Sequence, residues 1–241
     1  LHKYVTFTNI YTSAAKPTFD KYDDITYLDA EQMQGENAKT YMPGLSYRFY
    51  WETVNGGYPV VNVRDGDLWD GTYGTSYEIF NNKGDGSKEN PYLIENGAQL
   101  AFAVSYNRTL NDGSYYKLAN DIILNDTEVE NWEATAKPWI WNNHLRFNGT
   151  LDGDGHTIEG LYMSTDSVNG RCALIAYIGK DSSKDPNKVA EVKNITFKSA
   201  SINSTATATN EKLQGYAVVA GQTSGETLFE NLYIDENCTV N

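Results

Sequence analysis

The sequence predicts an all-β fold in which short strands stack as a parallel β-solenoid, and three observations lead there. The first is an internal repeat. Thr-Ile-Glu-Gly-Leu-Tyr-Met (157–163), Glu-Val-Lys-Asn-Ile-Thr-Phe (191–197) and Leu-Phe-Glu-Asn-Leu-Tyr-Ile (228–234) share one pattern, with Gly160, Asn194 and Asn231 spaced 34 and 37 residues apart. The second is period-2 alternation of apolar and polar residues inside each copy, which gives a strand one buried face. The third is the Gly or Asn at mid-pattern, because these residues enter the left-handed backbone region most cheaply and so mark a bend. Short strands, a bend and a polar loop repeating near 35 residues describe one coil of a solenoid. The loops 179–190 and 203–214, rich in Lys, Asp, Ser, Thr and Asn, are expected to project from one wall.

Composition fits an exported chain. Its 241 residues are 40% hydrophobic and 21% charged, yet 13% are aromatic, with 18 Tyr against 8 Phe. Tyrosine keeps the ring surface while its hydroxyl tolerates water. A net charge of −13 repels phosphate backbones and anionic headgroups, which argues against nucleic-acid binding and polybasic membrane attachment. No apolar run approaches the roughly 18 residues of a membrane span. The chain starts at Leu1 without a signal-peptide pattern and reads as a piece of a larger protein. Cys172 and Cys238 both lie in strand-like contexts, as buried small hydrophobes or as a disulfide pair.

Upstream of the repeats, Asn96 and Gln99 are placed as a capping box, and Leu100, Ala103 and Val104 follow at helical spacing. A helix is expected near 97–107, laid across the solenoid's end to cover unpaired backbone and core groups. Tyr116-Lys-Leu-Ala-Asn-Asp-Ile-Ile-Leu124 is then the first coil. The module spans 91–241, behind a junction at 66–90 that includes Gly66-Asp-Leu-Trp-Asp-Gly-Thr72. Residues 1–65 form a β-rich segment, either the closing coils of a preceding module (Tyr47 to Val61) or an independent domain with aromatic strands at Tyr4, Phe7, Tyr22 and Tyr27.

Further motifs carry a resemblance. They are Gly-Asp-Gly-Ser-Lys-Glu-Asn-Pro-Tyr-Leu-Ile (84–94), the Gln99-Leu-Ala helix, Tyr-Lys-Leu-Ala-Asn-Asp-Ile (116–122) and Phe-Asn-Gly-Thr-Leu-Asp-Gly-Asp-Gly-His-Thr-Ile (147–158). With the following coils, the stretch 84–241 resembles right-handed parallel β-helix modules with GLUG-type repeats, found in surface and secreted proteins of gut Firmicutes. Cys172-Ala-Leu-Ile-Ala-Tyr stands where that family shows Gly-Leu-Phe-Gly. The resemblance implies a non-catalytic, adhesin-like module at the cell surface or outside the cell. It would take no cofactor or metal and would contact host secreted proteins such as mucin or immunoglobulin. The alternatives are a carbohydrate-binding or polysaccharide-degrading β-helix protein and a pure spacer.

Trp132, Trp139 and Trp141 cluster in the insertion 126–146 with His144 and Arg146, an arrangement that could stack sugar rings or pack under the next coil. Asp152-Gly-Asp-Gly-His156 invites a calcium reading but lacks the further ligands of a calcium loop, so Gly153 and Gly155 are expected to serve a tight turn with positive φ. Asp121, Asp152, Asp154 and Asp166 are scattered among turns rather than paired as hydrolase carboxylates. The sequon asparagines 107, 125, 148, 194, 203 and 237 read as structural, with Asn194 and Asn231 expected to form a hydrogen-bonded ladder.

Overall fold

A computed structural model describes residues 10–13, 25–61, 68–106, 113–139, 146–165, 171–179, 189–204 and 215–241. Trp141, His144, Asp166, Asn107, Tyr4, Phe7, Tyr22 and most of the two expected projecting loops lie outside these residues. The chain divides into two compact units, one of residues 1–66 with 126–135 and the other of 67–125 with 136–241.

In the first unit, β1 (Ile10–Thr12) and β2 (Ile25–Tyr27) pair in parallel, and a short helix α1 (Asn37–Tyr41) follows. Strands β3 (Trp51–Val54) and β4 (Gly57–Val61) form an antiparallel hairpin. Its two-residue loop is Asn55-Gly56, where Gly56 takes φ +67, a combination that tight hairpin turns favour. Residues 126–135 join this unit by contacts their sequence did not announce. The Ser46 hydroxyl donates to Asp126, the Glu130 N–H donates to the Pro43 carbonyl at 3.0 Å, and Arg48 reaches Glu128 at 3.6 Å.

The second unit is all-β apart from short helical segments, and it is read most easily pass by pass. After β5 (Tyr92–Ile94) come α2 (Gly97–Ala101), β6 (Tyr115–Leu118) and β7 (Ile122–Ile123). The chain continues through β8 (Arg146–Phe147), β9 (Thr150–Asp152), β10 (Thr157–Glu159), β11 (Tyr162–Thr165), β12 (Arg171–Cys172) and β13 (Tyr177–Gly179). It closes with β14 (Ala190–Lys198), β15 (Ser201–Ser204), β16 (Gly215–Tyr216), β17 (Thr223–Ser224), β18 (Thr227–Ile234) and β19 (Thr239–Val240).

Among the described residues, every strand pair in this unit is parallel. The N-terminal half of β14 lies between β9 and β18, with β6 and β5 beyond β9, while its C-terminal half lies between β10 and β18. Further ladders are β11-β15-β19, β12-β16 and β8-β13-β17. Alternate residues enter the core in register, as Tyr116, Leu151 and Val192 do, or Ile122, Ile158 and Phe197. Each such side chain taken from water contributes roughly 1.5–3 kcal/mol. At the β5 side, Phe80 stacks on Tyr92 at 4.8 Å, and Tyr92, Tyr116 and Phe147 continue the aromatic contacts at 5.7 and 6.2 Å.

The structure corrects the sequence reading at three places. The helix expected over 97–107 is α-helical only to Ala101 and continues as a π-turn over Phe102–Tyr106. Its start is as expected: Asn96 Oδ1 accepts the Gln99 N–H at 3.0 Å. Gln99 then turns inward, accepting the Glu95 N–H and donating to the Ile79 carbonyl, so both ends of its amide are bonded in the core. The second correction concerns the repeat. Asn194 and Asn231 are true equivalents, but Glu159 pairs with Lys198, which places Gly160 beside Ser199. These form a second bend, where Gly160 and Ser199 have φ of 72 and 52, while Asn194 and Asn231 have φ of 56 and 50 at the first.

The third correction lies in the Asp152–His156 turn. Positive φ falls at Asp154 and Gly155, whereas Gly153 is required by proximity: a Cβ there would lie 2.3 Å from the Asn194 carbonyl oxygen. Gly155 has open space around it. Gly153→Ala is therefore expected to destabilise by about 2–3 kcal/mol through overpacking, and Gly155→Ala by about 1–2 kcal/mol through backbone strain alone. Urea denaturation of the two variants checks both the sizes and the order.

The last bend is held by Asp235. Burial pushes its carboxyl up, but hydrogen bonds from the Ser199 N–H, the Cys238 thiol and the Asn237 N–H outweigh this and leave it below the ordinary carboxylate value. A lowered folded value means the stabilisation is present above the unfolded value of about 3.9 and is lost as pH falls through the folded value. Protection of the Ser199 amide, taken relative to its intrinsic exchange rate, should fall below about pH 4 in the wild type. Asp235→Asn should flatten that acid response.

Candidate binding surface

The tryptophans separate. Trp139 is a core residue, 3% exposed, with its indole N–H on the Leu174 carbonyl at 3.0 Å and its ring 5.1 Å from Trp69. A ring covered on this scale has no face to offer a sugar, so of the two readings left open for Trp139 the structure has the packing one. Trp132 begins a short 3-10 turn, Trp132–Ala134, in the first unit. Trp141 and His144 lie outside the described residues.

Arg146 is on β8, and its outward position is dictated by Phe147, which the alternation sends inward. Its register partner on β13 is Tyr177, followed by the inward Ile178. The Arg146 guanidinium lies 4.6 Å from the centre of the Tyr177 ring and donates to the Tyr177 hydroxyl at 2.9 Å. Arg171, on β12, approaches the same ring at 5.4 Å, and its Nε–H donates to Gln222. Two of the chain's five arginines thus converge on one half-exposed tyrosine of an otherwise acidic chain. A guanidinium above an aromatic face gains about 0.5–1 kcal/mol at exposed sites, and the stacking fixes its donor fork. Such a group suits carboxylate, sulfate or sialate oxygens. Tyr177, Arg171 and Gln222 were not anticipated. The available signal was that Arg146-Phe147 and Tyr177-Ile178 repeat the same outward–inward dipeptide.

The Asp152–His156 turn is occupied with its own structure. Asp152 Oδ1 accepts the Asp154 N–H and the Asn194 amide, each at 2.9 Å, and Lys117 reaches Asp154 at 2.8 Å. His156 Nδ1 lies 3.1 Å from Asp121 Oδ1, which also accepts the Thr157 N–H. Among the described residues no group of three or more His, Cys, Asp or Glu is arranged to hold a metal ion. Asn231 Nδ2 donates to Asn194 Oδ1 at 3.0 Å, extending the run of amides from Asp152.

Both cysteines are free thiols. Cys172 is buried, and burial pushes its thiol up to about 11. Burial likewise pushes Cys238 up to about 11, with the neighbouring Asp235 carboxylate adding to the rise. Asn125 is 6% exposed and wholly structural. Its side chain bonds the Lys137 N–H and carbonyl and the Gly160 carbonyl, closing the base of the 126–136 excursion.

No known protein family matches the chain, and no solved structure matches it. Two relatives do. A Gly-rich membrane protein of Evansella cellulosilytica is 36% identical over 101 residues, covering 41% of this chain and 11% of that protein. Halomucin of Haloquadratum walsbyi is 29% identical over 122 residues, covering 50% of this chain and 1% of that protein. The chain therefore spans only a small part of the relatives' lengths.

The packing role of Trp139 predicts that Trp139→Ala costs about 3–5 kcal/mol in urea unfolding. Retention of the variant on glycan surfaces should change only in proportion to the unfolded fraction.

Proposed function

We propose that the second unit is a right-handed parallel β-helix of the GLUG-repeat kind, serving as a non-catalytic binding module of a surface or secreted protein. Its partner is an anionic secreted glycoprotein of mucin type, held at the Arg146–Tyr177–Arg171 group. The observation that carries this reading is the convergence of two stacked guanidinium groups on the outward side of a parallel ladder, on a chain of net charge −13. Parallel ladders with successive passes in register support the β-helix, since each pass buries its inward residues only against its neighbours. The names of the two relatives, a Gly-rich membrane protein and halomucin, agree with a cell-surface or extracellular setting. The carboxylates Asp121, Asp152 and Asp154 are engaged in turns and ion pairs, which favours binding over hydrolysis.

Retention of sialylated mucin on the immobilised chain tests the proposal. The wild type should retain mucin, and retention should fall as salt rises and after sialidase treatment. The folded double variant Arg146→Ala/Arg171→Ala should lose at least about tenfold in affinity, the scale of removing charge-assisted bonds. Retention equal in wild type and double variant would reject the site. Absence of any retention by the wild type would leave the spacer role in its place.

A further inference from the structure

Asparagine is followed by glycine at four places in the chain, 55–56, 96–97, 148–149 and 169–170, and the first three lie among the described residues. The dipeptide matters chemically because glycine has no Cβ to keep its nitrogen away from the preceding side-chain amide. That nitrogen can close a five-membered ring on the asparagine Cγ wherever the backbone between them is free to turn, which makes asparagine a thermolabile residue. The fold can withhold this freedom. A locked pair reacts only through local opening.

The structure sorts the three pairs. Asn96 caps α2: its Oδ1 accepts the Gln99 N–H at 3.0 Å, and a Cβ on the buried Gly97 would lie 2.6 Å from Trp69 Cγ. Asn148 lies between β8 and β9 with its Oδ1 buried. The adjoining Gly149 is buried too, and its carbonyl accepts the Glu191 N–H at 3.0 Å. Neither backbone can turn without disturbing the elements it joins. Asn55 and Gly56, by contrast, are both exposed at the tip of the β3-β4 hairpin. Among the described residues neither the Asn55 side-chain amide nor the Gly56 N–H has a hydrogen-bond partner. No atom lies within 4 Å of where a Gly56 Cβ would stand.

We infer that Asn55 is a site of spontaneous covalent modification, converting to aspartate and isoaspartate through a cyclic imide. The Gly56 nitrogen attacks Asn55 Cγ, and the new N–Cγ bond displaces the side-chain nitrogen, which leaves as ammonia with the proton lost from Gly56. Water then opens the imide. Cleavage of the new N–Cγ bond gives aspartate, whereas cleavage at the Asn55 main-chain carbonyl gives isoaspartate, whose backbone runs through Cβ. Nothing is oxidised or reduced, and water is the only co-reactant. Both products add a carboxylate at the hairpin tip. Isoaspartate also lengthens by one atom a two-residue loop that joins the paired Val54 and Gly57. The Gly57 carbonyl accepts the Gly35 N–H at 3.0 Å and the Thr53 hydroxyl donates to Glu36, so the lengthening acts on the turn that leads into α1. The first unit thereby acquires an age-dependent form. This site is separate from the arginine group, and neither depends on the other.

The test incubates the full chain in mildly alkaline buffer, folded and in urea, and reads each asparagine's conversion by mass spectrometry of digests. In urea the three described pairs should convert at similar rates. In the folded chain Asn55 should convert at least about tenfold faster than Asn96 and Asn148, which need a local opening first. Methylation by an isoaspartyl methyltransferase should mark the hairpin peptide. The converted chain, separated by anion exchange, should lose protection of the Gly35 amide in hydrogen exchange. Asn55→Gln, whose longer side chain closes a ring far less readily, should remove the hairpin signal and keep Gly35 protected through the same incubation. Conversion of Asn55 no faster than that of Asn96 or Asn148 in the folded chain would overturn the inference. So would an equal preference for Asn55 in urea, since the fold would then not be its cause. Unchanged Gly35 protection in the isoaspartate form would overturn the effect on the turn before α1.

Discussion

The second unit depends on one constraint: each bend must reverse the backbone into the left-handed region while keeping its place against the bend of the neighbouring pass. Asn194 and Asn231 meet both demands with one residue type, because the side chain that tolerates positive φ also bonds its equivalent. At the second bend the work is divided. Gly160 and Ser199 supply the backbone conformation, while Asn125 and Asp235 supply the bonds, the former to the Gly160 carbonyl and the latter from the Ser199 N–H. With the bends aligned, the strands between them pair without a register choice. The inward columns of Ile, Leu, Val and Phe follow from that alignment.

That constraint explains what could be read beforehand. The alternation and the Asn positions announce strands and bends, and the capping residues Asn96 and Gln99 announce a helix start. The exact alignment of the first repeat was not legible, because Thr-Ile-Glu-Gly satisfies the same pattern at either bend. Only the extra residues of the Asp152–His156 turn, which widen the first bend in one pass, separate the two choices. Nor does sequence distinguish a Gly needed for φ from one needed for proximity, since the carbonyl that crowds Gly153 belongs to Asn194, distant along the chain. The helix shortened for a related reason: the apolar positions continue at helical spacing past Ala101, but nothing local reveals the change to a π-turn.

The candidate sites were less legible than the fold. Aromatic residues near polar ones look alike whether they pack or bind, and only the contact between Trp69 and Trp139 decides the latter's role. Conversely, Tyr177 sits inside an apolar run that reads as core, and its significance comes from Arg146 and Arg171, brought to it by parallel pairing and by the adjacent strand. The acidic composition made these arginines conspicuous only once their position in space was known.

Asn125 has a consequence for how such a chain can diversify. By bonding Lys137 through both its N–H and its carbonyl, it ties together the two ends of the excursion at their base. With both ends held at one place, the segment leaves and re-enters the second unit without displacing the strands that flank it. The segment is therefore a port at which sequence of another length or character can be exchanged without re-registering the ladders.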